Sequence, residues 1–336
     1  SIRSIRVIRH LESMIEITDN RKNLNWYLAE AKKNGYAIGH FNFATADVLR
    51  GIIEASKEAG APAVMVGTSE GEVDFVGLKE AVALVRALKE ELNFPIFLNA
   101  DHFKSFEKCK EAIDAGYDSI IIDPAQSNSA TEILGRLKHA PPSDRQQKGR
   151  TLSGASASIL EERIRITRQV VDYARSVNPD ISVEGELGYL RGASEVQKKV
   201  EISAEDYSKP EEVADFVSRT GVDRMAVVFG NIHGIVTDQE EKLDIEHFAK
   251  IVTAEPRPYY VLHGASGLSD VDVAASIKAG ITNVHFNTEL RVAYKEGIHQ
   301  VFHDKPGETT PYKYLTPAVE EVKKVVAQKI KIFMGK

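Results

Sequence analysis

Short apolar runs and amphipathic stretches alternate along this chain in a steady rhythm. Runs of strand length occur at 36–42, 62–67, 96–100, 119–123, 181–187, 224–229, 259–262 and 282–286. They are mostly hydrophobic on both sides of the would-be strand, as expected for a parallel sheet covered on both faces by helices. Helical spacing marks the segments between them: one through Trp26, Leu28 and Ala31, then 47–59, 78–92, 105–115, 161–176 and 210–219, with a helix after each of the last three strands. Eight strands each followed by a helix, in roughly 300 residues, is the count and size of a (β/α)8 barrel. A doubly wound open sheet is the alternative, and no Gly-x-Gly-x-x-Gly turn after the first strand favours it. The expectation is an α/β fold, a (β/α)8 TIM barrel with a C-terminal helical extension, forming one domain over 14–336.

Two stretches leave the rhythm. Residues 1–13 repeat Ser-Ile-Arg and contain no Asp, a composition compatible with a transit peptide. The favoured reading is an appended leader without a fold of its own. Residues 125–158 form a polar insertion without sustained periodicity, containing Pro141-Pro142-Ser143-Asp144 and Ser153-Gly154-Ala155-Ser156. It follows a strand, so it emerges on the face where barrel active sites lie, and the expectation is a mobile insertion rather than a lid with a catalytic duty.

Composition sets limits without changing this outline. With 336 residues, 43% hydrophobic and 27% charged, the chain is ordinary globular material. No apolar run approaches the roughly 20 residues that span a bilayer, so no membrane partner is expected. The net charge of -6 argues against nucleic acid as a partner, while leaving room for a small anion held by backbone amides. A single cysteine, Cys109, rules out an intramolecular disulfide and a zinc site built on cysteines, and fits a reducing, cytoplasmic setting.

In a barrel the carboxyl ends of the strands converge on one mouth. Here they carry His40-Phe-Asn42, Thr68-Ser69-Glu70, Asp101-His102, Asp123, Glu184-Gly-Glu186, Asn231-Ile-His233, His263-Gly-Ala-Ser266 and His285-Phe-Asn287. Taken singly, each histidine is better read as a satisfied core residue. Together, His102, His233 and His263 form the ligand set of a catalytic zinc with an open fourth position. Asp101 neighbours one ligand on a strand where adjacent side chains point apart, which suits a general acid/base rather than a fourth ligand. No strand end carries a lysine, which argues against Schiff-base chemistry.

The segments Asn99-Ala-Asp101-His102, Val183-Glu-Gly-Glu186-Leu-Gly188, Gly230-Asn-Ile-His233-Gly234, Val261-Leu-His263-Gly-Ala-Ser266-Gly267 and Asn287-Thr-Glu-Leu-Arg291 occur in the same order as the signatures of class II, metal-dependent ketose-bisphosphate aldolases. The chain resembles that family from about residue 23 to its end, excepting the insertion. The resemblance implies a cytoplasmic lyase that cleaves fructose 1,6-bisphosphate, or its tagatose epimer, into dihydroxyacetone phosphate and glyceraldehyde 3-phosphate. It implies Zn2+ on His102, His233 and His263 with Glu186 as a further metal-site carboxylate, and it allows a second divalent ion and a monovalent cation. Asp101 would exchange the C4 hydroxyl proton. Gly264, Ala265, Ser266, Asn287 and Thr288 would cradle one phosphate, Arg291 is the candidate for the other, and Asn42, Ser69 and Gly234 fall at further substrate-contact positions. A homo-oligomer, dimer or tetramer, is the expected assembly.

Three departures bear on the carry-over. Where the family has a Gly-Gly followed by acids that supply a mobile-loop base, this chain reads Arg191-Gly-Ala-Ser194-Glu195, making Glu195 the candidate for that role one place along. His285 stands where the family usually has an asparagine, either rimming the pocket or buried and neutral. The insertion replaces a normally short link. Rival readings are a zinc hydrolase on the same histidines, and a non-catalytic sugar-phosphate-binding relative.

Overall fold

The computed structural model describes residues 22–124, 145–188 and 190–336. The expected leader and residues 125–144 of the insertion lie outside them. The element order is α1 (Leu24–Asn34), β1 (Ile38–Asn42), α2 (Ala46–Glu58), β2 (Val64–Ser69), α3 (Glu70–Val76), α4 (Leu78–Leu92), β3 (Ile96–Phe103), α5 (Phe106–Ala115), β4 (Ser119–Ile122), α6 (Arg145–Val177), β5 (Ser182–Leu187), β6 (Gly192–Gln197), α7 (Pro210–Thr220), β7 (Arg224–Val227), β8 (His233–Val236), α8 (Ile245–Ala254), β9 (Tyr259–Leu262), α9 (Asp270–Ala279), β10 (Ile281–Phe286), α10 (Thr288–Asp304) and α11 (Pro311–Phe333).

Strands β1, β2, β3, β4, β5, β7, β9 and β10 close into a barrel. Every neighbouring pair is parallel, from His40 opposite Met65 to the closing pair His40 and His285. Both faces of these strands are buried, which is why they read as uninterrupted hydrophobic runs. Apolar side chains between sheet and helices make one continuous core, while α1 caps the amino-terminal end of the barrel with Leu24, Tyr27, Leu28 and Ala31 against Ile38, Met65 and Phe97. The expected C-terminal extension is α11, which packs on α2 and α10.

Three expectations need correction. The helix placed at 161–176 begins at Arg145, so the second half of the insertion is helical. Its buried face among the described side chains runs through Ile164, Thr167, Val171 and Ala174, and it was this spacing that the sequence displayed. No proline stands between 145 and 160 to stop the helix there. Next, β7 ends at Val227, and His233 opens a separate strand, β8, paired in parallel with β6 outside the barrel. Neither short strand has a recognisable pattern, since β6 is almost wholly exposed. Finally, β3 runs on to Phe103 through a register shift between Ala100 and Phe103, with His102 at φ 52.

The barrel interior is polar at mid-height. Arg224, fully buried, donates to Glu184 Oε2 at 2.5 Å, to Asn99 Oδ1 and Asn283 Oδ1 at 3.1 Å each, and to Ser182 Oγ at 3.2 Å. A guanidinium in this position is tolerable only because its donors are met. None of the described helices is long and apolar enough to cross a membrane.

Close packing of the extension gives a direct check. A Cβ on Gly297 of α10 would lie 2.5 Å from Ala318 Cα of α11, whereas one on Gly307 would meet nothing within 4 Å. Gly297→Val should therefore lower the urea midpoint, with a cost on the order of 1–3 kcal/mol for overpacking, and Gly307→Val should leave it nearly unchanged. Equal midpoints followed by circular dichroism would mean that α11 does not dock as described.

Candidate active site

The carboxyl ends of the barrel strands surround a cavity of about 730 Å3. Asp101 and His102 both line it, although alternation along a regular strand would point them apart. The bulge resolves this. With its backbone in the left-handed region, His102 turns its ring to the same side as Asp101; strained residues and bulges of this kind concentrate at functional sites.

His102, His233 and His263 come together as the sequence suggested. Their ring centroids are 4.7 Å (His102 to His263), 5.4 Å (His102 to His233) and 6.5 Å (His233 to His263) apart. Ligand-capable atoms of His102, Glu186 and His263 lie within 4.8 Å of one another, and His233 is outside that cluster. Two observations show that the donor set fits a cation. Glu186 Oε2 and His263 Nδ1 are buried without a hydrogen-bond partner, an expensive state for polar atoms unless something charged completes them. Moreover, two of the three rings have a carboxylate beside one nitrogen: His263 Nε2 lies 2.7 Å from Glu184 Oε1, and His102 Nδ1 lies 3.3 Å from Asp123 Oδ2 and 3.4 Å from Glu186 Oε2. Carboxylates placed behind imidazoles in this way fix tautomer and ring orientation in metal sites.

The electrostatics agree. Burial opposes charge on His102, yet the carboxylates of Asp101, Asp123 and Glu186 lift it to about 10. The mouth thus favours positive charge. His233, by contrast, is pushed down to about 3 by burial and by the neighbouring His102 and His263, so it offers a neutral ring at any physiological pH. His40 and His285 are held well below the ordinary range, chiefly by burial. His285 both lines the cavity and is buried and neutral, so the two sequence alternatives describe one residue.

Asp101 is oriented by Asn42, whose amide nitrogen donates to Asp101 Oδ2 and to Glu72 Oε2 at 2.8 Å each. Burial alone would raise the Asp101 carboxyl, but His102 and the Asn42 bond keep it below the usual carboxylate range. Ser69 caps α3 in a reciprocal box with Glu72, its backbone and hydroxyl both donating to Glu72 Oε2. Asn42 and Ser69 line the cavity as expected, and their hydrogen bonds within the protein hold the carboxylates in place.

On the opposite side, Gly264, Ala265 and Ser266 follow β9, and Asn287 and Thr288 open α10. Gly264 has φ 66, and a Cβ there would sit 1.8 Å from Ile232 O, so only glycine permits this close approach. Glu289 Oε1 accepts from Gly267 N at 3.0 Å and ties loop to helix. Gly234 at the start of β8 likewise lines the cavity. Backbone amides beside a helix N-terminus that lacks a side-chain cap suit an anion. Arg291 reaches the cavity with its guanidinium bonded to the carbonyl and hydroxyl of Ser194.

Glu195 is placed differently from the expectation. Gly192, Ala193 and Ser194 line the cavity, and Glu195 is exposed on β6 outside that lining. Only its carbonyl approaches the wall, where a Cβ on Gly234 would meet it at 2.3 Å.

Sequence reasoning gave no role to His40, Glu72, Asp123, Arg163, Glu184 or Arg224. Glu184 had a usable signal, since two glutamates separated by one residue on a buried strand share a face. Glu72 also had one, in the capping-box spacing from Ser69. Arg224, a cation opening an apolar strand, looks like an ordinary strand edge.

Residues 22–135 and 150–336 match the family of class-II fructose-bisphosphate aldolases. Similar proteins include the fructose-bisphosphate aldolase of Staphylococcus epidermidis, 34% identical across 91% of this chain and 94% of that protein. The 6-phospho-5-dehydro-2-deoxy-D-gluconate aldolase of Bacillus licheniformis is 33% identical across 91% and 92%. Among solved structures, the YdjI aldolase from Escherichia coli K12 is 27% identical, covers 93% of this chain and 96% of its own, and superposes with a TM-score of 0.72. Fructose-bisphosphate aldolase from Campylobacter jejuni, 18% identical over 92% of each chain, shares the fold with a TM-score of 0.65. Sequence and fold thus lead to one conclusion: the chain belongs to the class-II fructose-bisphosphate aldolase family, lyases of the carbon–carbon bond.

Proposed function

We propose that this chain reversibly cleaves a ketose bisphosphate, fructose 1,6-bisphosphate in the first instance, using a zinc ion held by His102, His233 and His263 with Glu186 as a further carboxylate. The observation that carries this reading is the convergence of two buried atoms without a hydrogen-bond partner, Glu186 Oε2 and His263 Nδ1, 3.8 Å apart, with His102 in a cavity that Asp101 also lines. Zinc, when bound, supplies Lewis-acid stabilisation of the negative charge that builds as the carbon–carbon bond breaks.

The rest follows from the chain's own groups. Asp101 Oδ2 is occupied by Asn42, whereas Oδ1 has no hydrogen-bond partner among the described residues and is the atom free to take the proton of the C4 hydroxyl. Held below the usual carboxylate range, Asp101 is ionised and ready to accept it at neutral pH. Backbone amides of Gly264, Ala265 and Ser266, with the start of α10 at Asn287 and Thr288, hold the phosphate of the three-carbon half. The relative in Bacillus licheniformis supports a second reading, cleavage of a singly phosphorylated keto sugar acid. Arg291 being bonded to Ser194 is consistent with it, because that cation is then less available to a second phosphate.

A coupled assay against fructose and tagatose bisphosphates and a singly phosphorylated ketose separates these substrates. Exhaustive chelation should abolish cleavage and zinc should restore it; activity that persists, or a product trapped by borohydride, would overturn the proposal. Asp101→Ala should lose about 10² to 10⁴ in turnover with zinc retained, and loss of the metal instead would make Asp101 a ligand. Glu184→Gln should weaken zinc about 10- to 100-fold by releasing His263, read by competition with a chromophoric chelator. Unchanged affinity would remove Glu184 from the metal's support.

A further inference from the structure

Lys329 of α11 is a buried cation that the proposed reaction does not use. Its ammonium lies 3.1 Å from Asp270 Oδ1, 3.6 Å from Glu289 Oε2 and 4.9 Å from the centroid of the Phe286 ring. Asp270 is the first residue of α9, and Glu289 the second of α10. Both helices begin at the anion cradle: Gly264 to Ser266 lie between β9 and α9, and Asn287 and Thr288 open α10. One side chain of the C-terminal extension thus binds the two elements that carry the two halves of the cradle.

Glu289 makes the link to the loop. Its Oε1 accepts from Gly267 N at 3.0 Å, and its backbone nitrogen donates to Ser266 Oγ at 3.4 Å, while Oε2 faces the ammonium. With one oxygen on the loop and the other on Lys329, the carboxylate is held from both sides by charge-assisted contacts. Asp270 closes the arrangement from the far end of the loop, where Ser269 caps α9 immediately before it and Lys329 Nζ donates to Asp270 Oδ1.

Charge gives a second reason. Acidic residues in a first turn stabilise their own helix, but two carboxylates beside amides that suit an anion oppose the ligand. Lys329 is the sole ion-pair partner of either carboxylate among the described residues. A third carboxylate near the loop, Glu241, whose Oε1 a Cβ on Gly267 would meet at 3.0 Å, is raised to about 8 by burial and is mostly uncharged at neutral pH. Fastening α11 does not require a charge at 329. Val322, Val326, Ile330 and Phe333 already bury the helix, and Lys323 ties it to Glu54 at 3.2 Å. An apolar side chain commonly serves docking as well as a buried ion does.

We propose that Lys329 is a positioning residue for the anion cradle: through Asp270 and Glu289 it sets the spacing of the first turns of α9 and α10, and it offsets the charge that these carboxylates present to an anion. It touches no reacting atom. That the anion is the phosphate of the three-carbon half rests on the aldolase reading; the coupling of Lys329 to Gly267 does not. Without the ammonium, Glu289 Oε2 loses its partner, the bond to Gly267 loosens, and two uncompensated carboxylates face an incoming dianion.

The test sets Lys329→Met, which keeps an unbranched stem, against Lys323→Met, which removes a cation from the same helix away from the cradle. Amide hydrogen exchange read by mass spectrometry should quicken in peptides covering 263–270 and 287–292 of the Lys329 variant and keep the wild-type rate in the Lys323 variant. Wild-type exchange in both variants overturns the coupling without reference to catalysis. Inorganic phosphate, titrated calorimetrically into the zinc-loaded protein, should bind about tenfold more weakly to Lys329→Met, and KM for fructose 1,6-bisphosphate should rise by a similar factor, with kcat changed less than about threefold and zinc content intact. Lys329→Arg should restore both quantities. Unchanged phosphate affinity in Lys329→Met would overturn the proposal. In that background Glu289→Gln removes one charge yet leaves Gly267 an acceptor, so it should recover about threefold of the lost affinity, and no recovery would overturn the role of Glu289 as the link. If the unmodified protein binds inorganic phosphate in this Lys329-dependent way but cleaves no ketose phosphate, the aldolase reading falls and the positioning role stands.

Discussion

A single buried guanidinium constrains this barrel. Arg224 sits where the interior of a closed sheet is normally packed with branched aliphatic side chains. Taking it out of water is costly, and the cost is offset only if nearly every donor finds an acceptor. The acceptors come from three different strands, Glu184 and Ser182 on β5, Asn99 on β3 and Asn283 on β10, and Arg224 itself stands on a fourth, β7. Strand register across half the barrel is therefore tied to one side chain. A one-residue slip of any of these strands would turn its acceptor to the outer face and leave the charge unmet.

The same requirement reaches the mouth in one further step. Glu184 gives one oxygen to Arg224 and the other to His263 Nε2, so the ring nitrogen that faces the cavity is fixed by a charge deep in the interior. Such coupling explains the choice of residues that a packing argument alone would leave arbitrary. A glutamine at 184 could bond to one partner in the correct sense but would offer the other a donor or a weaker acceptor. The bulge at His102 solves a separate problem, because two consecutive strand residues cannot otherwise face one cavity. Its positive φ is a local cost in backbone energy that the surrounding sheet holds in place.

The sequence made the barrel legible because its strands are buried on both faces, so residues such as those of β3 and β4 form unbroken apolar runs with little ambiguity. His102, His233, His263 and Asp101 were legible because polar residues that end an apolar run have no packing reason to be there. What could not be read depends on relations across the chain. The pairing of β6 with β8 leaves no periodic trace, since Ser194 and Glu195 are both polar and only the register decides which faces the cavity. The start of α6 was hidden because a helix without an apolar stripe gives no 3.6-residue signal. Arg224 was invisible for a stronger reason: nothing local distinguishes a strand-opening arginine in solvent from one whose partners lie 40 to 125 residues away.

The distribution of charge at the mouth follows one logic. Asp101, Asp123 and Glu186 crowd one side, where His102, lifted to about 10, and Arg163 answer them, while His233 is pushed down to about 3 and His40 and His285 also stay neutral. A dication lowers the energy of such a side more than any rearrangement of its imidazoles can. The opposite side is built instead from the uncharged backbone of Gly264 to Ser266 and the first turn of α10, with Arg291 bonded to Ser194 at its edge. Neutral donors do not compete for the carboxylates, and that separation is what the proposed reaction, with a metal ion and a sugar phosphate in one cavity, would require.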